Sequence, residues 1–172
     1  MPARALIVPS GTGPEYFVFG DRITVKIDGR ETGGAFSQIE TTCGPHYGPP
    51  LHVHQREEES FFVIEGEFEF VCGGERTTGG PGTVVRLPRG VPHRFKNLGD
   101  TTGRLLITLS PAGAEDFFAA VGALPPEQQS DLARIAALGE EYGMEILGGE
   151  LIAATLPACE SNLQRRGKNV RT

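Results

Sequence analysis

His52 and His54 stand two residues apart in the run 48–59, Gly-Pro-Pro-Leu-His-Val-His-Gln-Arg-Glu-Glu-Glu. On an extended strand, residues two apart leave the same face, so both imidazoles can converge on one ion. Glu59 lies five beyond His54, an odd step that would point it to the opposite face of an unbroken strand. The polar segment Gln55-Arg56-Glu57 must therefore bend the chain, letting a new strand start at Glu59 with Phe61 and Val63 on the same face. Glu57 and Glu58 are read as solvated residues of that bend. A third imidazole, His93, comes from the run 82–97, where Pro88-Arg89-Gly90 is a turn and His93, Phe95 and Asn97 share a face of the next strand. Three neutral nitrogens and one carboxylate make a divalent-metal set. It leaves the ion a net positive charge and, if octahedral, two open positions for water, substrate or dioxygen. The order of intrinsic affinities favours copper, nickel or zinc over iron and manganese, but the residues alone do not choose among Fe, Ni, Cu, Co, Mn and Zn.

The elements that must position these groups are short strands. Residues 16–19, 23–27, 36–42, 51–54, 59–64, 67–72, 83–87, 93–97 and 105–110 alternate or run apolar between Gly- and Pro-containing turns, the spacing of an antiparallel sandwich or barrel. The clearest hairpin is read at 59–72, turning at Glu65-Gly66, because Gly tolerates the positive φ of a tight turn. Phe68, Phe70 and Cys72 form its apolar face. After Ser110 the period changes, and residues 114–121 and 126–142 are predicted as two helices covering a sheet edge or the barrel mouth. Pro125-Pro126 opens the second and Gly143 closes it. The division expected is a barrel over 1–110, a helical extension of the same domain over 111–145, and a tail over 146–172 that is flexible at its basic end.

Composition narrows the function classes. Of 172 residues 16 are Lys or Arg and 22 Asp or Glu, and Arg165, Arg166, Lys168 and Arg171 all fall in the final stretch. The 16 bases less these four leave 12 against 22 acids over 1–160, a net −10, which argues against binding a phosphate backbone. The basic tail is read as a solvated terminus without function. Cys43, Cys72 and Cys159 lack paired spacing, so neither a disulfide framework nor a thiolate site is expected. No apolar run approaches the ~20 residues of a membrane span. A cytoplasmic protein without nucleic-acid or membrane partners is the expectation.

The two runs resemble the motifs of the cupins. The family's first motif, G-x5-H-x-H-x3,4-E-x6-G, is met by His52, His54, Glu59 and Gly66. Its second, G-x5-P-x-G-x2-H-x3-N, is met by Gly82, Pro88, Gly90, His93 and Asn97. One departure is His46, which stands where the first motif opens on Gly. Gly44 and Gly48 bracket it, so a turn displaced onto one of them is expected, with His46 an exposed loop residue. The resemblance implies an all-β fold, a small jelly-roll barrel of two antiparallel sheets with C-terminal helices. It also implies that His52, His54, Glu59 and His93 hold one divalent transition metal at one end of the interior. Among cupins the chain is similar to the single-domain quercetinase-like enzymes. That implies a dioxygenase acting on an enolisable, flavonol-like aromatic, with Glu59 as ligand and proton acceptor. Tyr47, Phe61, Phe68, Phe70 and Phe95 are the candidates for a substrate pocket, although aromatic residues at alternating positions are more often core, and at a metal-bearing barrel they can be both. A polyketide cyclase, isomerase or decarboxylase of the same fold, or a small-molecule-binding regulator, are the alternatives. A homodimer is expected from the resemblance.

Overall fold

The computed structural model describes residues 5–129 and 131–148. Its strands are β1 Glu15–Val18, β2 Asp21–Ile27, β3 Ser37–Cys43, β4 His52–His54, β5 Glu58–Glu65, β6 Phe68–Cys72, β7 Glu75–Gly79, β8 Val84–Leu87, β9 His93–Asn97, β10 Gly103–Ser110 and β11 Met144–Ile146. Helices are α1 Gly29–Thr32, α2 Ala114–Gly122 and α3 Leu132–Glu141. Strands pair antiparallel into two facing sheets, β1-β2-β3-β10-β5-β8 and β11-β4-β9-β6-β7.

Alternation drives this layering. Ser37, Ile39, Thr41 and Cys43 of β3 point inward, as do Leu105, Ile107 and Leu109 of β10, while the residues between them are partly exposed. Phe61 from one sheet meets Phe70 from the other edge-on, ring centroids 5.4 Å apart, and Phe68 lies against Phe70 and Phe95. Each such ring contributes roughly 1.5–3 kcal/mol by leaving water. This aromatic layer fills the interior away from the histidines and fixes the spacing of the two sheets.

The expected hairpin at 59–72 does not form. β5 belongs to the first sheet and β6 to the second, so the chain crosses between sheets at Gly66. Gly66 has φ +91°, and a Cβ there would lie 3.0 Å from the Gly103 Cα. Glycine is required at this corner by close packing as well as by φ. The hairpin that does form is β6–β7, turning at Gly73-Gly74, both at positive φ (56° and 91°), as a two-residue loop demands. β7 went unread because its residues, Glu75-Arg76-Thr77-Thr78-Gly79, carry no apolar alternation. α1 was missed for its brevity; a capping box between Asp28 and Glu31 opens it and left-handed Gly33 closes it.

The expected helix over 126–142 is divided. Pro126–Gln128 is a short 3-10 turn, and α3 begins only where the Asp131 carboxylate caps the Ala133 and Arg134 amides. The chain then turns at Gly143 (φ +78°), and β11 pairs with β4, Met144 opposite His54 and Ile146 opposite His52. The sheet edge carrying two histidines is thus covered by a strand, with α3 behind it. No helix among the described residues is long and apolar enough to cross a membrane. The basic end of the predicted tail lies outside the described residues.

Candidate metal centre

His52 of β4 and His93 of β9 are direct cross-strand partners in the second sheet. His54, two residues along β4, presents its ring on the same side. Glu59 arrives from the first sheet, because Gln55 and Arg56 form a bend and β5 starts one residue before it. One ligand atom from each of His52, His54, Glu59 and His93 lies within 4.8 Å of the others, and all four side chains are buried. Bonds of about 2.1 Å to one ion hold ligand atoms about 3–4 Å apart, so sub-ångström shifts close this set on a metal.

The hydrogen bonds behind the rings decide which nitrogen faces inward. Nδ1 of His52 is 2.8 Å from the Pro50 carbonyl oxygen, and Nδ1 of His93 is 2.7 Å from that of Val91. Nδ1 of His54 is 3.3 Å from Glu57 Oε2. Each acceptor holds a proton on Nδ1 and leaves the Nε2 lone pair free, the arrangement that prepares an imidazole for a metal. Nε2 of His93 is buried without a hydrogen-bond partner among the described residues; Glu59 Oε2 lies 3.2 Å away but off the line a hydrogen bond needs. An orphaned nitrogen of this kind is what a metal ligand looks like before its ion is added. The donor set therefore fits one divalent transition metal.

Electrostatics agree. Burial, reinforced by the neighbouring imidazoles of His93 and His54, pushes His52 down to about 3, so its ring is neutral near pH 7. Burial also works against a charge on His54, but the Glu59 and Glu57 carboxylates outweigh it and raise its pKa. Glu59 would be raised by burial alone; the three imidazoles overcome this and hold it at about 2. The Glu59 carboxylate thus supplies negative charge to a buried set of nitrogens, where a divalent ion would be held.

Glu57 is the largest correction to the sequence reading. It is buried, not solvated, and it orients His54. The only signal was its position three after His54, hidden in a run of three acids. Glu58 does face outward and pairs with Arg86. His46 holds φ +54° itself, while Gly44 and Gly48 do not take positive φ. The turn has not moved: His46 adopts the left-handed conformation that a glycine would take there without strain. Gly48 serves another purpose, since a Cβ on it would lie 2.1 Å from the Phe95 carbonyl oxygen.

Beside the histidines is a cavity of about 50 Å³, bounded by His52, His54, Glu59, Phe95, Asp21, Thr41, Phe118 and Met144 together with Val18, Ile23, Ile39 and Ile107. That holds a few water molecules. Of the five residues expected around a substrate, Phe95 lines it; Phe61, Phe68 and Phe70 are buried in the aromatic layer, and Tyr47 is half exposed against Gly20. Asp21 and Thr41 were missed, although Asp21 shares strand parity with the inward Ile23 and Val25.

A family profile described as a cupin domain matches residues 40–109. Quercetin 2,3-dioxygenase of Bacillus subtilis is 34% identical over 91 residues, which are 52% of this chain and 27% of that protein. The polyketide synthase CurC of Streptomyces cyaneus is 29% identical over 92 residues, 54% of this chain and 60% of that protein. This chain thus spans less than two thirds of the length of the curated relatives it matches. Among solved structures, KdgF from Halomonas sp. superposes with a TM-score of 0.58 at 16% identity, over 66% of this chain and 99% of that one.

Proposed function

We propose that this chain, whose residues 40–109 match a cupin-domain profile, is a metal-dependent dioxygenase of cupin type that cleaves a small enolisable aromatic. The observation that carries the reading is the convergence of His52, His54, His93 and the Glu59 carboxylate in one buried cluster, three of whose members, His52, His54 and Glu59, line a mostly apolar cavity. The stretch shared with a quercetin 2,3-dioxygenase supports it. A bound divalent ion would supply Lewis acidity toward an enol oxygen and, if redox-active, a path for dioxygen.

The chain's own residues account for the rest. Glu59, which the imidazoles around it keep ionised, is the carboxylate within the cluster placed to accept the enol proton. Glu57 and the carbonyls of Pro50 and Val91 hold the three rings in register. Ile39, Ile107 and Phe118 keep bulk water from the reacting carbon. An aromatic ring is larger than the cavity as described, so the wall formed by Phe118 of α2 and Met144 of β11 moves outward on entry. The same reading takes the enzyme to be a cytoplasmic homodimer, which fractionation and light scattering test.

Oxygen uptake by metal-loaded protein with flavonols and smaller enolic aromatics tests the activity. Uptake with any redox metal supports it; none with all of them contradicts it. The match to a polyketide synthase protein favours a second reading, a cyclase that uses the ion only as a Lewis acid, and turnover under strict anaerobiosis would establish that one instead.

A further inference from the structure

The first-sheet wall of the cavity carries polar groups that metal binding does not use. Asp21 is the first residue of β2, just past the tight turn Phe19-Gly20, and it is 2% exposed. Among the described residues its Oδ1 has no hydrogen-bond partner. The Cys43 thiol lies beside the carboxyl, but it is a weak donor with one proton and is also 2.8 Å from the Tyr47 carbonyl oxygen. Thr41, fully buried on β3, is a diagonal neighbour of Asp21 across the β2–β3 ladder, and its Oγ1 also lacks a partner among the described residues. Both residues line the same cavity as His52, His54 and Glu59. Along the β3–β10–β5 ladder Ile39 and Ile107 stand between the level of Thr41 and that of Glu59, so the wall between the two polar groups is aliphatic.

We propose that Asp21, assisted by Thr41, forms a second polar pole of this cavity that recognises a hydroxyl group at the far end of a small enolic ligand held at the histidine cluster. This rests on the metal-dependent reading given above. Packing gives no reason for a carboxyl here, since every other inward position of β2 is aliphatic or a threonine. A buried acceptor pays its desolvation cost only when a donor reaches it. Cavity waters can serve in the empty state, and a ligand hydroxyl that displaces them restores the hydrogen bond while the ring between covers the aliphatic wall. A ligand with a methyl group in place of that hydroxyl leaves Asp21 buried and unpaired, which is the basis of strong discrimination. The class of ligand is therefore a small ring with an enol and adjacent carbonyl at one end and a hydroxyl donor at the other.

The test uses full-length, zinc-loaded protein, in which no redox turnover can occur, and two pyranones differing in one group. These are 5-hydroxy-2-(hydroxymethyl)-4-pyranone and 5-hydroxy-2-methyl-4-pyranone, with affinities read by calorimetry. Wild type is expected to favour the hydroxymethyl compound at least about tenfold. Asp21→Leu is expected to abolish that preference while still taking up zinc, and Asp21→Asn, which keeps the shape and one acceptor, to retain part of it. Equal affinity for both pyranones in wild type, or the same preference in wild type and Asp21→Leu, overturns the proposal alone. Failure of wild type to take up zinc overturns the metal reading and this proposal with it.

Discussion

Glu57 and Asp21 are both buried carboxyls near the histidines, but their surroundings set them apart. Glu57 has a partner, His54 Nδ1, and works by keeping that ring's Nε2 directed inward. Glu57→Gln should leave the fold intact and lower metal affinity about 10- to 100-fold, measured by competition with a chelator. Unchanged affinity would remove Glu57 from the site. Asp21 instead carries an unmet acceptor, and burial lifts its pKa from 3.8 to about 6, with the Cys43 thiol pulling slightly the other way. Its folded pKa is raised, so the folded state holds the proton more tightly than the unfolded chain. The stability this gives is fully present below pH 3.8 and lost as pH rises through 6. Asp21→Asn should therefore raise stability at pH 7–8 by on the order of 2–3 kcal/mol, an advantage that shrinks toward pH 4. Denaturant titrations at several pH values check this, and a gain independent of pH would contradict it.

Among the elements, the loop before β4 shows how a motif can be kept with a different residue. His46 occupies the left-handed region at φ +54° and its Nε2 lies 2.7 Å from Asp100 Oδ1. His46→Gly should change stability by less than about 1 kcal/mol, since relief of backbone strain offsets the added chain entropy. His46→Val, β-branched in the same conformation, should cost about 1–2 kcal/mol by urea titration; a neutral result would mean that the loop rearranges.

These elements also mark what the sequence could and could not tell. Strands with inward alternation, such as β3, β9 and β10, are readable because side-chain period is local. The three imidazoles were readable because H-x-H and the later His93 sit on such strands. Sheet membership was not: the Glu65-Gly66 corner and the Gly73-Gly74 hairpin look alike in sequence, and only packing against Gly103 separates them. The polar edge strand β7 and the three-residue β11 carry too little pattern to be seen. Asp21 and Glu57 escaped because an acid looks solvated until its neighbours across the barrel are known.

For the molecule as a whole, ligands contributed by both sheets make the metal a link between them. Metal that binds only the folded state at 100 times its Kd adds about 2.7 kcal/mol. At about 2–4 °C per kcal/mol for a chain of this size, Tm should rise by roughly 5–11 °C on saturation. The rise should vanish in a His52→Ala, His93→Ala variant; an equal rise in that variant would place the metal elsewhere. β11 covers the strand that carries His52 and His54, and its Met144 also lines the cavity, so one short strand borders both the cluster and the cavity. The most direct measurement is metal content per chain, by mass spectrometry on protein purified without a histidine tag, beside that double variant. The account predicts about one equivalent of a divalent transition metal in wild type and none in the variant. Wild-type protein that holds no metal, even after reconstitution, would contradict it.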